Sequence, residues 1–275
     1  MQGMGERFAG KVGFVTGGAS GLGEALARLM VAEGGSVGIA DLHGDRAAAL
    51  AAELGPAALA IACDVTKEAD VASAIDATVA KFGHVDGVFA NAGIVGVVGP
   101  IAETNMDDFD KTIAVLVRGV FVTVKHAARV MIAQGTGGAI VCTSSVAGIQ
   151  GGLGPHAYTV AKTGVIGLAR AASSELVAHK IRVNAIAPGS IPTAMTAHVM
   201  AGDPDDVEKA TAVMAKQSPL GRSGMPIDIA ETALFFMTDA GSYISGQVIA
   251  VDAGLTSGAS MAARWGSSAM VVARP

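Results

Sequence analysis

The chain has 275 residues, 51% of them hydrophobic and 16% charged, and it carries a formal net charge of -5. This acidic balance, with no cluster of Lys and Arg, argues against a nucleic acid as partner. The length suits a single α/β domain, and so large an apolar fraction predicts that copies of the chain associate into an oligomer.

Seven apolar segments rich in β-branched residues predict strands, with Ala- and Leu-rich helical stretches between most of them. The first is VGFVTG at Val12, followed by SVGIAD, ALAIACDV, VDGVFANAG, GAIVCTSS, IRVNAIAPG and GQVIAVDAG. Continuous apolar strands that alternate with helices predict a parallel sheet covered on both faces, which is an α/β fold of the doubly wound (Rossmann) type. Ligands of this fold bind at the carboxyl ends of the strands.

The first predicted strand leads into a glycine-rich turn and then into the helical segment EALARLMVAEG. The candidate cofactor residues of this turn, TGGASGLG, are Gly17, Ser20, Gly21, Leu22 and Gly23. Glycines let the backbone approach a pyrophosphate, which the N–H groups and the dipole of a helix N-terminus then stabilise. The spacing is GxxxGxG, so the turn by itself indicates a dinucleotide only weakly, and an ordinary turn is the alternative.

The second predicted strand ends at Asp41, 18 residues beyond Gly23. A carboxylate at this place accepts hydrogen bonds from the adenosine ribose hydroxyls and repels the 2′-phosphate of NADP. Gly18 and Leu42, where a basic side chain would meet that phosphate, are both uncharged. The sequence therefore predicts NAD as cofactor, with a role as helix N-cap as the alternative for Asp41.

Cys63 and Cys142 both lie in apolar segments that we interpret as buried strands. Two thiols in such places do not form a disulfide framework, so we expect a reducing compartment, the cytoplasm. The span 130–161 has no Asp, Glu, Lys or Arg, but its glycine, glutamine and hydroxyl side chains would leave polar groups in lipid. We interpret this span as strand plus loop and expect no membrane partner.

Tyr158 and Lys162 are four residues apart at the start of the predicted helix YTVAKTGVIGLARAA. This spacing places the ammonium and the phenol on one helix face. A free tyrosine titrates near about 10, so a tyrosine that acts as a base near neutral pH needs a lowered pKa, which a nearby cation supplies. YxxxK on a helix is also a common surface pair, and only its position among other motifs favours catalysis.

Several motifs in order resemble the classical subgroup of the short-chain dehydrogenase/reductase family over nearly the whole of residues 8–256. TGGASGLG is similar to the family's cofactor turn, and YTVAK to its YxxxK motif. The other similar positions are Asp64-Val65 for the adenine pocket, Asn91-Ala92-Gly93 for the NAG motif that packs around the cofactor, Arg182-Val183-Asn184, and Pro188-Gly189. The family's catalytic serine lies thirteen residues before the tyrosine, which selects Ser145 over Ser144.

The resemblance implies an oxidoreductase that interconverts a secondary alcohol and a ketone by hydride transfer to or from a nicotinamide. It implies that Ser145 hydrogen-bonds the substrate oxygen and that Tyr158 passes the proton. Lys162 would lower the pKa of Tyr158 and hold the nicotinamide ribose. Ile191 and Thr193 would contact the carboxamide. The resemblance also implies a homotetramer.

One departure from the family pattern concerns the helix before the catalytic serine. Family members usually carry an Asn there, which holds a water that extends the proton relay from the lysine, whereas Leu116 occupies this position in AVLVRGVF. A leucine side chain does not hydrogen-bond a water. We predict that Ser145, Tyr158 and Lys162 still work, with protons reaching Lys162 through ribose hydroxyls and solvent. Whether Thr112, one turn earlier, compensates is left open.

Apolar residues dominate the loops where a substrate would bind, so we predict an apolar substrate, cyclic or aryl-bearing, with simple loop packing as the alternative. The candidate substrate contacts are Val97, Val146, Gln150, His156 and Met195. Residues 193–226, a Met-rich stretch between prolines, are expected to form a substrate lid within a domain of residues 1–255. The six histidines show no metal-ligand spacing, so no catalytic metal is expected.

Residues 256–275 carry few large apolar side chains, so we expect a tail that is disordered or docks on a neighbouring subunit. Two alternative functions also follow from the sequence. An NADPH-dependent 3-oxoacyl thioester reductase shares these motifs, although Asp41 argues against it. A protein that binds NAD without turnover, as a sensor or scaffold, is favoured only by Leu116.

Overall fold

The computed structural model describes residues 6–203 and 205–258. The strands of this part of the chain are β1 (Val12–Thr16), β2 (Ser36–Asp41), β3 (Ala58–Ala62), β4 (Gly87–Ala90), β5 (Gly138–Thr143), β6 (Ile181–Pro188) and β7 (Val248–Val251). They form one parallel sheet in the order β3-β2-β1-β4-β5-β6-β7. Each strand lies within one of the seven predicted segments, so the predicted doubly wound α/β fold is confirmed.

Helices cover both faces of this sheet. They are α1 (Gly21–Ala32), α2 (Gly44–Leu54), α3 (Glu68–Phe82), α4 (Met106–Ile113), α5 (Gly119–Gln134), α6 (His156–Leu176), α7 (Ala194–Ala201), α8 (Val207–Gln217) and α9 (Pro226–Met237). Buried side chains of α3, α5 and α6 form the core on one face, and those of α1, α2 and α9 form the core on the other. A π-helical turn, Ala114–Arg118, joins α4 to α5.

The two cores explain why the strands are apolar at consecutive positions. In β1, Phe14 packs into the core of α3, α5 and α6, while the next residue, Val15, packs into the core of α1, α2 and α9. Both side chains are fully buried, and burial of each contributes about 1.5–3 kcal/mol to folding. A strand with only one buried face would instead alternate apolar and polar residues.

The sheet order places the functional edge of the molecule. Since β1 pairs with both β2 and β4, the direction of winding reverses between β1 and β4, and a crevice opens at the carboxyl ends of these two strands. The turn after β1, the end of β2 and the NAG segment after β4 all meet at this crevice. The order of strands thus brings together motifs that are far apart in the sequence.

Most of the predicted lid lies within the described residues, whereas most of the predicted tail does not. Residues 193–226 form α7, α8 and the loop that leads into α9, and their movement as a lid stays a prediction. Of the predicted tail, residues 259–275 lie outside the described residues. Within the described ranges, no helix is both long and apolar enough to span a bilayer.

Candidate active site

The glycine-rich turn joins β1 to α1 at the crevice. Gly17 and Gly21 have φ values of 62° and 56°, a region that favours glycine. A Cβ atom on Gly17 would lie 2.8 Å from the Ala92 Cα, and one on Gly23 would lie 2.1 Å from the Gly17 carbonyl oxygen. Ser20, the N-cap of α1, makes no side-chain hydrogen bond to the helix, so its hydroxyl does not compete for the first-turn N–H groups. This geometry fits the pyrophosphate of a dinucleotide.

Asp41, at the end of β2, is buried and faces this turn. Its Oδ2 accepts a hydrogen bond from the Ala19 N–H at 3.0 Å, and its Oδ1 accepts one from the His43 N–H at 2.9 Å. The N-cap of α2 is His43 and not Asp41, so the alternative role as helix N-cap does not apply. A carboxylate has about four acceptor positions, which leaves acceptors for two ribose hydroxyls. The adjacent Leu42 is 67% exposed.

Asp64 and Val65, the expected adenine-pocket pair, follow β3. The Thr66 hydroxyl and N–H both donate to Asp64 Oδ1, at 2.7 and 3.0 Å. These two bonds lower the pKa of Asp64, because they favour the ionised carboxylate. Val65 is buried and packs on the first residue of α5, since a Cβ on Gly119 would lie 2.9 Å from the Val65 Cγ2. The pair therefore combines a fixed charge with an apolar contact.

Asn91 ties together the ends of three strands. Its side-chain Nδ2 donates to the carbonyl oxygens of Thr16 and Gly17, at 3.2 and 3.3 Å. Its Oδ1 accepts a hydrogen bond from the Thr143 hydroxyl at 3.1 Å. Both of its amide functions are thus engaged by the protein, so Asn91 supports the backbone of the glycine-rich turn and of the end of β5.

The loop after β6 faces the glycine-rich turn from the opposite side. Pro188 ends β6, and the Gly189 N–H donates to the Val251 carbonyl oxygen at 3.0 Å. Thr193 lies against the turn, since a Cβ on Gly21 would be 3.2 Å from the Thr193 Cγ2. The Thr193 N–H is engaged within its own loop, where it donates to Thr196 Oγ1 at 2.8 Å.

The two serines after β5 have different environments. The Ser144 hydroxyl is buried and donates to the Lys162 carbonyl oxygen at 2.8 Å, within the backbone of α6. Ser145 Oγ accepts a hydrogen bond from the Ala147 N–H at 3.2 Å, and its hydroxyl also hydrogen-bonds the side chain of Tyr158. Ser145 also lines the cavity described below. Of the two, Ser145 is therefore the one placed to meet a substrate oxygen.

Tyr158 and Lys162 share one face of α6, with the Lys162 Nζ 5.5 Å from the centroid of the tyrosine ring. The Nζ also donates to the Thr143 carbonyl oxygen at 2.8 Å, and burial lowers the pKa of Lys162 to about 8. Burial raises the pKa of Tyr158, and the neighbouring Ser145 hydroxyl only partly opposes it. The protein alone therefore does not lower this pKa as the resemblance implied, because removal from water disfavours the phenolate.

Leu116 lies in the π-helical turn and is fully buried. A Cβ on Gly93 would lie 3.1 Å from the Leu116 Cδ2 and 3.8 Å from the Lys162 Nζ. The leucine side chain and the ammonium therefore approach the same glycine. An apolar side chain thus stands near the lysine where the family usually has an amide.

Thr112 does not compensate for this leucine. Its hydroxyl donates to the Asp108 carbonyl oxygen at 2.7 Å and accepts a hydrogen bond from the Val97 N–H at 3.0 Å. The loop also packs tightly on it, because a Cβ on Gly96 would lie 2.3 Å from the Thr112 Cγ2. This hydroxyl is committed to the loop, so it offers nothing to a proton relay.

A cavity of about 700 Å³ includes the candidate catalytic residues Ser145 and Tyr158 in its wall. Two predicted substrate contacts, Val146 and Met195, line it, together with Ile191. Val97, Gln150 and His156 do not. Gln150 and His156 are exposed, since one lies on the glycine-rich approach to α6 and the other is the first residue of that helix.

Sequence reasoning missed much of the cavity wall. Met214 of α8, Leu220 and Arg222 in the next loop, and Asp228 of α9 all line it. The segment 250–255 at the end of β7 does so as well. Met214, Leu220 and Arg222 lie within the predicted lid, which was their only signal, and nothing pointed to Asp228 or to the end of β7. Within the described residues, no group of three or more His, Cys, Asp or Glu is arranged to hold a metal ion.

The chain is similar in sequence to proteins of a known family. A protein-family model described as "Enoyl-(Acyl carrier protein) reductase" matches residues 17–256. Momilactone A synthase of Oryza sativa subsp. japonica is 42% identical over 254 residues, which are 91% of each protein. Short-chain dehydrogenase reductase 3b of Arabidopsis thaliana is 39% identical over 251 residues, 91% of this chain and 97% of the relative.

Two solved structures share the fold over almost their full length. Levodione reductase superposes with a TM-score of 0.83 at 36% identity, covering 91% of this chain and 99% of the other. The 3-ketoacyl-(acyl-carrier-protein) reductase from Brucella melitensis, solved in complex with NADH, superposes with a TM-score of 0.81 at 31% identity, covering 90% and 99%.

Proposed function

Because this chain belongs to the short-chain dehydrogenase/reductase family and is an oxidoreductase, we propose that it interconverts a secondary alcohol and a ketone with NAD(H) as cofactor. The substrate is apolar and cyclic or aryl-bearing. The observation that carries the proposal is the convergence of Ser145 and Tyr158 on one largely apolar cavity. The glycine-rich turn and Asp41 lie at the crevice of the same sheet.

Each catalytic residue has one task in this proposal. Ser145 donates its O–H to the substrate oxygen when the substrate is bound and so fixes the reacting carbon. Tyr158 gives a proton to that oxygen during reduction and takes one during oxidation. Lys162 holds its ammonium beside the tyrosine ring and is placed to hydrogen-bond the nicotinamide ribose. When bound, the nicotinamide ring supplies or accepts the hydride, and its oxidised form adds a positive charge.

The preference for NAD is supported by Asp41 and Leu42. Asp41 is held in place by two backbone N–H groups, and its oxygens keep acceptor positions for ribose hydroxyls. A 2′-phosphate there would meet a fixed carboxylate and no cation from Leu42. The similar structure in complex with NADH shows that this cofactor is used within the fold family.

The substrate class is supported by the side chains that face the cavity. Val146, Ile191, Met195, Met214 and Leu220 line it and offer apolar contacts. Such a lining binds a compact hydrophobic molecule and orients it through few polar groups. Momilactone A synthase and levodione reductase, named for two different small molecules, are similar to this chain over about nine-tenths of its length.

We also propose that the protein is a homotetramer of the cytoplasm. Apolar side chains remain exposed on α5 and α6, where Phe121 and Val160 are 55% and 56% exposed, and near the edge strand β7, where Tyr243 is fully exposed. Faces of this kind are covered when subunits associate. Both thiols, Cys63 and Cys142, are buried and free, in keeping with a reducing compartment. Sedimentation of the purified protein measures the assembly.

The decisive experiment is a steady-state assay that follows NADH absorbance with NAD or NADP and a panel of aliphatic, cyclic and aryl secondary alcohols. We expect turnover with NAD and cyclic or aryl alcohols, and a loss of at least about 100-fold in Tyr158→Phe. Tight NAD binding without turnover of any alcohol or ketone would instead support the sensor function.

A 3-oxoacyl thioester reductase is the second candidate, because a 3-ketoacyl reductase is among the similar structures. The same assay separates the two. Turnover of acetoacetyl-CoA with NADPH, at a higher kcat/KM than any cyclic alcohol with NAD, would replace the proposed function with this one.

A further inference from the structure

The loop between α8 and α9 brings a second set of polar side chains to the cavity. Gln217 ends α8, Ser218 follows it, and Arg222 lies four residues before α9; all three line the cavity. None of them takes part in the proposed reaction. They belong to a wall that is separate in the chain from Ser145 and Tyr158, which come from the end of β5 and from α6.

Ser218 carries an unsatisfied hydroxyl in this wall. Its Oγ is buried and has no hydrogen-bond partner in the described part of the chain, and leaving a buried polar group unpaired costs about 1–3 kcal/mol. The main chain around it is fixed, because the Gly221 N–H donates to the Ser218 carbonyl oxygen at 2.9 Å. The hydroxyl itself turns between three staggered positions about one bond. It can thus point into the cavity without movement of the main chain.

Arg222 adds hydrogen-bond donors to the wall of the same cavity. Its Nη1 and Nη2 bind the two carboxylate oxygens of Asp228, at 2.8 and 3.0 Å, and Nη1 also donates to the Ser223 carbonyl oxygen at 3.0 Å. A guanidinium has five N–H donors, so the Nε–H and one Nη2–H remain. Asp228 compensates the positive charge. The wall therefore offers donors without net charge, which suits a neutral oxygen better than a carboxylate or a phosphate.

We propose that the loop holding Ser218 and Arg222 is a second recognition site and that the substrate carries a neutral oxygen acceptor there. This oxygen, of a carbonyl, ester or ether, belongs to a part of the apolar skeleton remote from the carbon that exchanges hydride. The inference rests on the proposed function, which makes the cavity the substrate site. It narrows the substrate class from an apolar cyclic alcohol to one with two oxygen functions.

The test compares two alcohols of the same shape, a hydroxydecalone with a ketone on its far ring and the decalol that lacks this ketone, together with their fused tricyclic counterparts. We expect the natural protein to favour the keto alcohol in kcat/KM. In Ser218→Ala the ratio of kcat/KM values, keto alcohol over plain alcohol, falls about fivefold to tenfold, as for the loss of one hydrogen bond to a ligand. A ratio that does not change in this variant overturns the inference.

The variant is not expected to misfold, because the hydroxyl that it removes has no partner in the protein. Its melting temperature should equal or exceed that of the natural protein. Ser223→Ala is the matched control: Ser223 is also buried, but its hydroxyl donates to the Gly224 carbonyl oxygen at 3.0 Å and the residue is not in the cavity wall. This control should lower the melting temperature and leave the ratio unchanged.

Calorimetric binding of the matching diketone and monoketone keeps this inference separate from the proposed function. Suppose that no alcohol is turned over, but that the diketone binds about fivefold more tightly than the monoketone and only Ser218→Ala removes this difference in affinity. The recognition site is then supported, and the proposed reaction is wrong. If neither ketone binds, or both bind equally, the recognition site is contradicted whatever the assay shows.

Discussion

The ammonium nitrogen of Lys162 lies 5.5 Å from the centre of the Tyr158 ring. At this distance the cation can interact with the negative face of the ring. Both groups are also largely buried, so both lose their contacts with water. Burial disfavours the charged form of each, so it lowers the pKa of the lysine and raises that of the tyrosine. Below pH 8 the pair is therefore a charged lysine beside a neutral tyrosine, and just above pH 8 both groups are neutral.

The first prediction concerns Lys162→Met and pH. The folded-state pKa of Lys162 is about 8, below its ordinary value of 10.5. Below pH 8 the buried ammonium lowers the free energy of unfolding of the natural protein by its full amount. This effect disappears as the pH rises to 10.5, because the folded state releases its proton before the unfolded state does. The advantage of Lys162→Met in free energy of unfolding is thus largest below pH 8 and shrinks by about 3 kcal/mol through this window. Chemical denaturation of the cofactor-free protein measures it, and a constant difference would show that the ammonium is solvated.

The second prediction separates the two serines after β5. Ser145→Ala removes the donor to the substrate oxygen, so kcat should fall by about 100-fold. It also removes the acceptor of the Ala147 N–H, so it should cost about 0.5–2 kcal/mol of stability. Ser144→Ala removes a buried hydrogen bond to α6, so it should cost about 1–3 kcal/mol of stability and reduce kcat less than Ser145→Ala does. Thermal melts and steady-state kinetics of both variants decide. The reverse order of the two kcat effects would assign the catalytic role to Ser144.

The third prediction concerns Leu116. Leu116→Asn places an amide in a fully buried position next to Lys162, so the melting temperature should fall. The rate should change by no more than about threefold, because in this proposal protons reach Lys162 through ribose hydroxyls and solvent. Single-turnover rates of the two proteins provide the measurement. A rise of several orders of magnitude in the variant would mean that the natural protein lacks a working relay.

The fourth prediction concerns cofactor choice. Leu42→Arg places a cation beside the expected 2′-phosphate, so the Kd for NADP should fall about tenfold or more while the Kd for NAD changes little. Val177→Arg, at another exposed apolar side chain beyond the C-terminal end of α6, is the control and should alter neither affinity. Calorimetric titration of both cofactors measures the change. Equal effects of the two substitutions would mean that only net charge matters and that Leu42 lies away from the phosphate.

The strands were predictable because each one is buried on both faces. Phe14 and Val15 belong to different cores, so consecutive residues of the strand are apolar and the sequence shows an unbroken apolar segment. The glycine-rich turn was also predictable as a turn, since a φ near +60° at Gly17 and the close approach at Gly23 leave little choice but glycine. In both cases the local sequence carries the physical requirement.

The cavity wall was predicted less well, because its members meet only in three dimensions. Val146 and Met195 were correctly placed on it, whereas Gln150 and His156 are near Tyr158 in sequence but exposed. Arg222 carries no signal beyond its place in the predicted lid, because its position follows from the bidentate pair that it makes with Asp228 at the start of α9. The raised pKa of Tyr158 was missed for a similar reason, since sequence spacing shows a neighbouring cation but not the loss of water.

The hydrogen bonds of Asn91 have a consequence for how this enzyme can change. One side chain holds the main chain of the cofactor turn with its amide nitrogen and the last residue of β5, two positions before Ser145, with its oxygen. A substitution that removes this amide is therefore expected to loosen the glycine-rich turn and the approach to Ser145 at the same time. The loop between α8 and α9 shares none of these bonds, so its residues can change without this effect.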